Sequence, residues 1–242
     1  MLKLRWGSAT DVGRVRQVNE DSLFCSDVLF AVADGMGGHA AGELASGLAV
    51  QAMAEFGESG PLDVDGLAAA IEHANQVIVQ TGRQQPAYFG LGTTLTGVAV
   101  LGVAGAEHWA VFNVGDSRVY RYAEDRLSQL SVDHSAVQEL IDAGVLDEDG
   151  ARHHPQRNVV TRSLGTSPAP QADIDVYQPV LGERLLICSD GLTNELLDAE
   201  IAQVLQVETE PEQSAAELVR RANQSGGRDN TTVVVIELTG LD

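Results

Sequence analysis

The chain has 242 residues, enough for one large domain with a full core, and its 44% apolar content is ordinary for a globular protein. A formal charge of −20, from 35 acids against 15 bases, argues against nucleic acid or an anionic membrane as a partner. Met1 to Asp11 holds no apolar run of signal-peptide length, and no stretch of about 18 uninterrupted apolar residues occurs, so a cytoplasmic protein is expected. Two cysteines, Cys25 and Cys188, are too few for a disulfide framework; both lie in apolar runs and read as buried small hydrophobes. Lys3 is the only lysine, so nearly all of the positive charge is arginine, which holds phosphate oxygens bidentately.

Strands are predicted at Phe24 to Ala33, Thr93 to Val103, Glu107 to Val114, Arg118 to Tyr122, Asp173 to Tyr177, Arg184 to Cys188 and Thr231 to Leu238. Helical spacing is predicted over Ala41 to Phe56, where Leu44, Leu48, Ala52, Met53 and Phe56 share a face, and over Leu67 to Val79. Two later helices are predicted at Ala199 to Leu205, with Asp198 as N-cap, and at Glu212 to Ala222, preceded by Pro211 and stopped near Gly226. Gly57 to Asp65 reads as a connector. Residues 133–170 hold a short helical pattern, an acidic turn at Asp147 to Gly150, and His153-His154, whose spacing matches no recognised metal pair. The segment is too long for a hairpin loop and reads as a small flap or as a decorated surface loop. Helices, a long β series, then helices and a last strand suit an α+β layered sandwich, in one domain over 1–242, better than a repeating βαβ sheet.

Four carboxylates stand where these apolar runs stop. Asp34 closes Leu29 to Ala33, Asp116 follows Trp109 to Gly115, Asp190 ends Leu185 to Ser189, and Asp229 precedes Thr231 to Leu238. A charge is costly inside a strand bundle and cheap at its rim, where a cation can gather several. Asp34-Gly35, Gly115-Asp116 and Asp190-Gly191 add glycines that allow close backbone approach. Oxygen ligands without a Cys or His pair indicate a hard divalent ion, Mg²⁺ or Mn²⁺. The competing phosphate motifs fail: Asp34-Gly35-Met36-Gly37-Gly38-His39 lacks the lysine of a P-loop and the glycine spacing of a dinucleotide fingerprint. No Gly-x-Ser-x-Gly elbow occurs, and Ala31 and Asn194 stand where a Cys-x5-Arg loop needs its arginine.

With Asn113 to Arg118, Asp133-His134-Ser135, Thr161-Arg162-Ser163-Leu164-Gly165, Ser189 to Thr193 and Gly227 to Thr231, these elements in this order resemble the PPM-type metal-dependent Ser/Thr protein phosphatases, the protein phosphatase 2C family, in its compact bacterial branch. The resemblance runs from Gly13 to Thr232. It implies a four-layer α-β-β-α sandwich with two central antiparallel sheets, a small flap subdomain and metals in the cleft at one end. It implies two or three ions of Mn²⁺ or Mg²⁺. Asp34, Asp190 and Asp229 would hold the first; Asp34 would bridge to a second that takes the Gly35 carbonyl, with Glu20 and Asp21 in support through water. Asp116, with Asp190, would fit a third. Arg16 would bind the substrate phosphate, and Arg162 is a further substrate-binding candidate. In eukaryotic relatives a histidine follows the Asp-Gly pair; here Met36 stands there and His39 comes later, so the general acid is His39 or a metal-bound water. The substrates implied are phosphorylated proteins, including Ser/Thr protein kinases, and the chain is expected to be a monomer. A catalytically dead scaffold and a hydrolase of small phosphoesters are the alternatives.

Overall fold

The computed structural model describes residues 2–37, 41–58, 63–85, 88 and 90–241. Among them run eleven strands and seven helices: β1 (Leu2–Asp11), β2 (Asp21–Cys25), β3 (Leu29–Met36), α1 (Ala41–Gly57), α2 (Val64–Gln84), β4 (Gly92–Thr93), β5 (Leu95–Val103), β6 (Ala106–Val114), β7 (Arg118–Ala123), β8 (Arg126–Gln129), α3 (Ala136–Asp142), α4 (Glu148–Arg152), β9 (Asp173–Tyr177), β10 (Arg184–Cys188), α5 (Asp190–Thr193), α6 (Asp198–Val207), α7 (Pro211–Ser225) and β11 (Thr231–Leu241). One antiparallel sheet has the order β1-β11-β10-β7-β8, the other β2-β3-β5-β6-β9 with β4 paired to β3.

Strand alternation sorts the core into three apolar layers. On β3, Leu29, Ala31 and Ala33 face α1 and α2, while Phe30 and Val32 face the other sheet. On β10 and β11, Leu186, Cys188, Val233 and Val235 pack on α6 and α7, while Leu185, Ile187, Val234 and Ile236 fill the layer between the sheets. The result is the α-β-β-α sandwich that the family resemblance implied, a form of the α+β layered sandwich that the helix and strand order suggested.

Several expectations need correction. The run Phe24 to Ala33 is two strands, because Ser26 caps a turn by accepting from the Leu29 amide at 3.1 Å. Asp34 does not end its strand: β3 continues through Gly35 to Met36, paired to β4. The N-cap of α6 is Leu197, not Asp198, and its amide donates to Glu200 Oε2 at 2.8 Å. The acidic turn at Asp147 begins a helix, since the Asp147 carboxylate accepts from the Gly150 amide and Glu148 and Asp149 suit the first turn. Cys188 is fully buried, but Cys25 only partly so.

The two sheets are pinned at one end by a buried carboxylate. Glu183, just before β10, accepts from Trp109 Nε1 on β6 and from the Val180 amide, both at 2.7 Å. Its other oxygen lies 2.7 Å from Arg121 Nε on β7, and the Arg121 guanidinium stacks over Tyr177 of β9. The acidic residues gather at the opposite strand ends.

Candidate active site

The apolar layer between the sheets turns polar at that end by simple alternation. On β3 the inward sequence is Phe30, Val32, Asp34; on β2 it is Cys25, Leu23, Asp21; and the register places Asp21 directly opposite Asp34. From the facing sheet, Val234 is followed inward by Thr232, and Ile187 by Ser189. Two like charges opposed across an antiparallel pair repel, so nothing in strand pairing alone favours this register. The Gly35 amide donates to the Glu20 carbonyl at 3.2 Å on the β2 side, and on the other side Asp34 is fixed by Thr94: the Asp34 amide donates to Thr94 Oγ1 at 2.9 Å, and its carbonyl accepts from the Thr94 amide at 2.9 Å.

The carboxylates press on one another. Burial, then Asp21, Asp190, Asp116 and Asp229, raise the Asp34 pKa well above the carboxylate range. Asp21 is pushed up to about 7, chiefly by burial, although Ser189 Oγ donates to its Oδ2 at 2.7 Å across the gap between the sheets. Burial and the charges of Asp190 and Asp133 push Asp116 up to about 8. Asp190, first residue of α5, is raised by burial and by Asp229, while Asn194 Nδ2 donates to its Oδ2 at 2.9 Å. Burial also raises Glu20.

The structure thus brings Asp21, Asp34, Asp116, Asp190 and Asp229 within electrostatic reach of one another. Gly35 serves the close approach that its position suggested: a Cβ there would stand 2.2 Å from the Gly42 carbonyl and 2.5 Å from that of Glu20. Arg16 reaches the cluster, its Nη2 donating to Asp229 Oδ2 at 2.7 Å. Arg162 is held elsewhere, its Nη1 donating to Asp173 Oδ1 at 3.1 Å. His39 lies outside the described residues. Asp116 and Asp190 open onto a cleft of about 710 Å³, whose other wall includes Val137 and Ile141 of α3 and Arg152 of α4. The segment 133–170 therefore borders the acidic cluster.

Sequence reasoning assigned no role to Asn230. Its Oδ1 accepts from the Glu20 amide at 2.8 Å, and its Nδ2 donates to the Val12 and Val18 carbonyls, both at 2.9 Å. One amide side chain therefore stitches the loop that bears Arg16 and Glu20 onto the start of β11. Its adjacency to Asp229 was the only available signal.

The donor set fits hard divalent ions. Asp21 Oδ1 and Glu20 Oε1 are buried with no hydrogen-bond partner, and such atoms are costly unless a cation or water meets them. Neighbouring carboxylates suppress one another's ionisation, and a dication would reverse this. Among the described residues no three His, Cys, Asp or Glu side chains form a ready-made cage; the fit is one of charge, donor type and orphaned oxygens.

Comparison with known proteins gives the same direction. Residues 14–229 match the family model described as protein phosphatase 2C. The chain is 37% identical over its whole length to the serine/threonine protein phosphatase PstP of Mycobacterium tuberculosis, of which it spans 46%, about half the length of that relative. It is 35% identical to the serine/threonine phosphatase stp of Listeria innocua, covering 94% of this chain and 93% of that one. A crystal structure of the PstP catalytic domain in complex with 2 manganese ions superposes with a TM-score of 0.90 at 35% identity, over 99% of this chain and 100% of that one. A family model matched over residues 14–229, together with relatives 37% and 35% identical over 100% and 94% of this chain, makes it a member of the protein phosphatase 2C family.

Proposed function

We propose that the protein hydrolyses phosphoserine and phosphothreonine on proteins, opposing Ser/Thr protein kinases, as a cytoplasmic monomer using two or three ions of Mn²⁺ or Mg²⁺. Asp34, Asp190 and Asp229 would hold the first ion, Asp34 and the Gly35 carbonyl the second with Glu20 and Asp21 in support, and Asp116 with Asp190 the third. When bound, such ions supply Lewis acidity toward the phosphoryl oxygens and an acidified water as nucleophile.

The chain's own residues do the rest. Arg16 orients the phosphate through its guanidinium and stabilises charge on the equatorial oxygens as it builds. Its ion pair with Asp229 fixes that guanidinium beside the carboxylates. His39 is the side-chain candidate for donating a proton to the leaving alkoxide. The segment 133–170 acts as a flap along the cleft and selects among protein substrates.

The observation that carries this reading is the crowding of five carboxylates at one end of the sheet interface, with buried oxygens lacking partners. The test is Asp190→Asn. Turnover of phosphothreonine peptide should fall by at least 10³-fold while circular dichroism stays that of the parent. Retained turnover at limiting metal would remove Asp190 from the ligand set.

A further inference from the structure

Gly115 carries the turn into Asp116 with φ of 117°, a conformation open to glycine, and a Cβ there would stand 2.5 Å from Thr94 Cγ2. Both polar groups of Gly115 are engaged by a residue far along the chain. The His134 amide donates to the Gly115 carbonyl at 2.9 Å, and the Gly115 amide donates to His134 Nδ1 at 3.1 Å. Asn113 Nδ2 reinforces this, donating to the Gly115 carbonyl at 3.0 Å and to the Val132 carbonyl at 2.9 Å.

An amide hydrogen aimed at Nδ1 requires a lone pair there, so the imidazole is neutral with its proton on Nε2. Nε2 lies 3.1 Å from Asp173 Oδ2 and 3.2 Å from Arg162 Nη1, which also donates to Asp173 Oδ1 at 3.1 Å. The ring is almost wholly buried, with 5% of its side chain exposed. His134 also accepts, through its carbonyl, from the Thr161 amide at 2.8 Å, which closes the neck of the 133–170 segment.

We propose that His134 is a positioning residue, a neutral latch that fixes the Gly115–Asp116 turn and the neck of the 133–170 segment in one arrangement, so that the Asp116 carboxylate and the cleft wall are placed together. This rests on reading Asp116 as a metal ligand. The ring's two nitrogens have separate tasks, and two substitutions divide them. In His134→Asn the amide oxygen takes the place of Nδ1 and keeps the Gly115 bond; in His134→Gln the side-chain end takes the place of Nε2, keeps Asp173 and leaves the Gly115 amide without an acceptor.

The experiment is calorimetric titration of metal-stripped protein with Mn²⁺ for the parent, His134→Gln, His134→Asn and Asp116→Asn, with Gly115 amide exchange followed by NMR. Asp116→Asn should remove one binding event. His134→Gln should weaken that same event about tenfold, the scale expected when a buried amide loses its acceptor, and leave the tighter binding unchanged. Its Gly115 amide should exchange at least tenfold faster, while His134→Asn keeps both affinity and protection near the parent's. Parent-like binding in His134→Gln, or equal losses in the two His134 variants, would overturn the latch. If Asp116→Asn left the titration unchanged, the ligand reading would fail, and Gly115 exchange would decide the latch by itself.

Discussion

Asp116→Asn should make the metal-free protein more stable, and the gain should grow with pH. Asp116 is 9% exposed, and burial beside Asp190 and Asp133 pushes its pKa up to about 8. A carboxyl group whose folded pKa is raised costs nothing while protonated in both states, below the ordinary carboxylate range. The cost appears as pH climbs through that range and is complete only above about 8. The full shift corresponds to an upper bound of about 6 kcal/mol, and water entering the open cleft reduces it to the order of 2 kcal/mol. For a protein of this size that is a rise in Tm of about 4 to 8 °C. Melting curves in excess chelator from pH 4 to pH 8.5 should show parent and variant together at the acid end and diverging toward alkaline pH. Added Mn²⁺ should reverse the order, because the parent alone keeps every ligand. A variant less stable than the parent in chelator, or a difference independent of pH, would show that the Asp116 carboxylate carries no such cost.

Two further outcomes follow from single side chains. Arg16→Ala should raise KM for phosphopeptide about tenfold through loss of a charge-assisted contact, and shift stability by less than about 1 kcal/mol, because the pair with Asp229 is exposed; steady-state kinetics and a denaturant titration read the two. Arg184 is buried and donates to the Leu205 and Glu208 carbonyls at 2.8 and 2.6 Å and also to Thr209. Arg184→Met strands these carbonyls and should cost about 3 kcal/mol in urea unfolding, with kcat unchanged because β10 begins at the end remote from the acids.

The site was more legible in the sequence than the elements around it. Asp34, Asp116, Asp190 and Asp229 stand out because a charge at the edge of an apolar run is visible in one dimension. Asp21 opposite Asp34 is not, since cross-strand register depends on a hairpin whose turn, at Ser26 and Asp27, is hidden inside an apolar stretch. The strand β1 went unread because its apolar run is confined to Leu2, Leu4 and Trp6 and these are only partly covered, Trp6 remaining 41% exposed. Polar stitching was least legible of all. Asn230, Ser189 and His134 bond groups at least 19 residues away in sequence, and no local pattern encodes such partners.

If divalent metal held by these carboxylates drives hydrolysis of phosphoserine and phosphothreonine, activity should follow the metal. Metal-stripped protein assayed on phosphoserine, phosphothreonine and phosphotyrosine peptides, with chelator or with added Mn²⁺ or Mg²⁺, tests it directly. Turnover should be absent in chelator and return with either metal on the first two peptides. Full turnover in excess chelator, or recovery confined to phosphotyrosine, would contradict it.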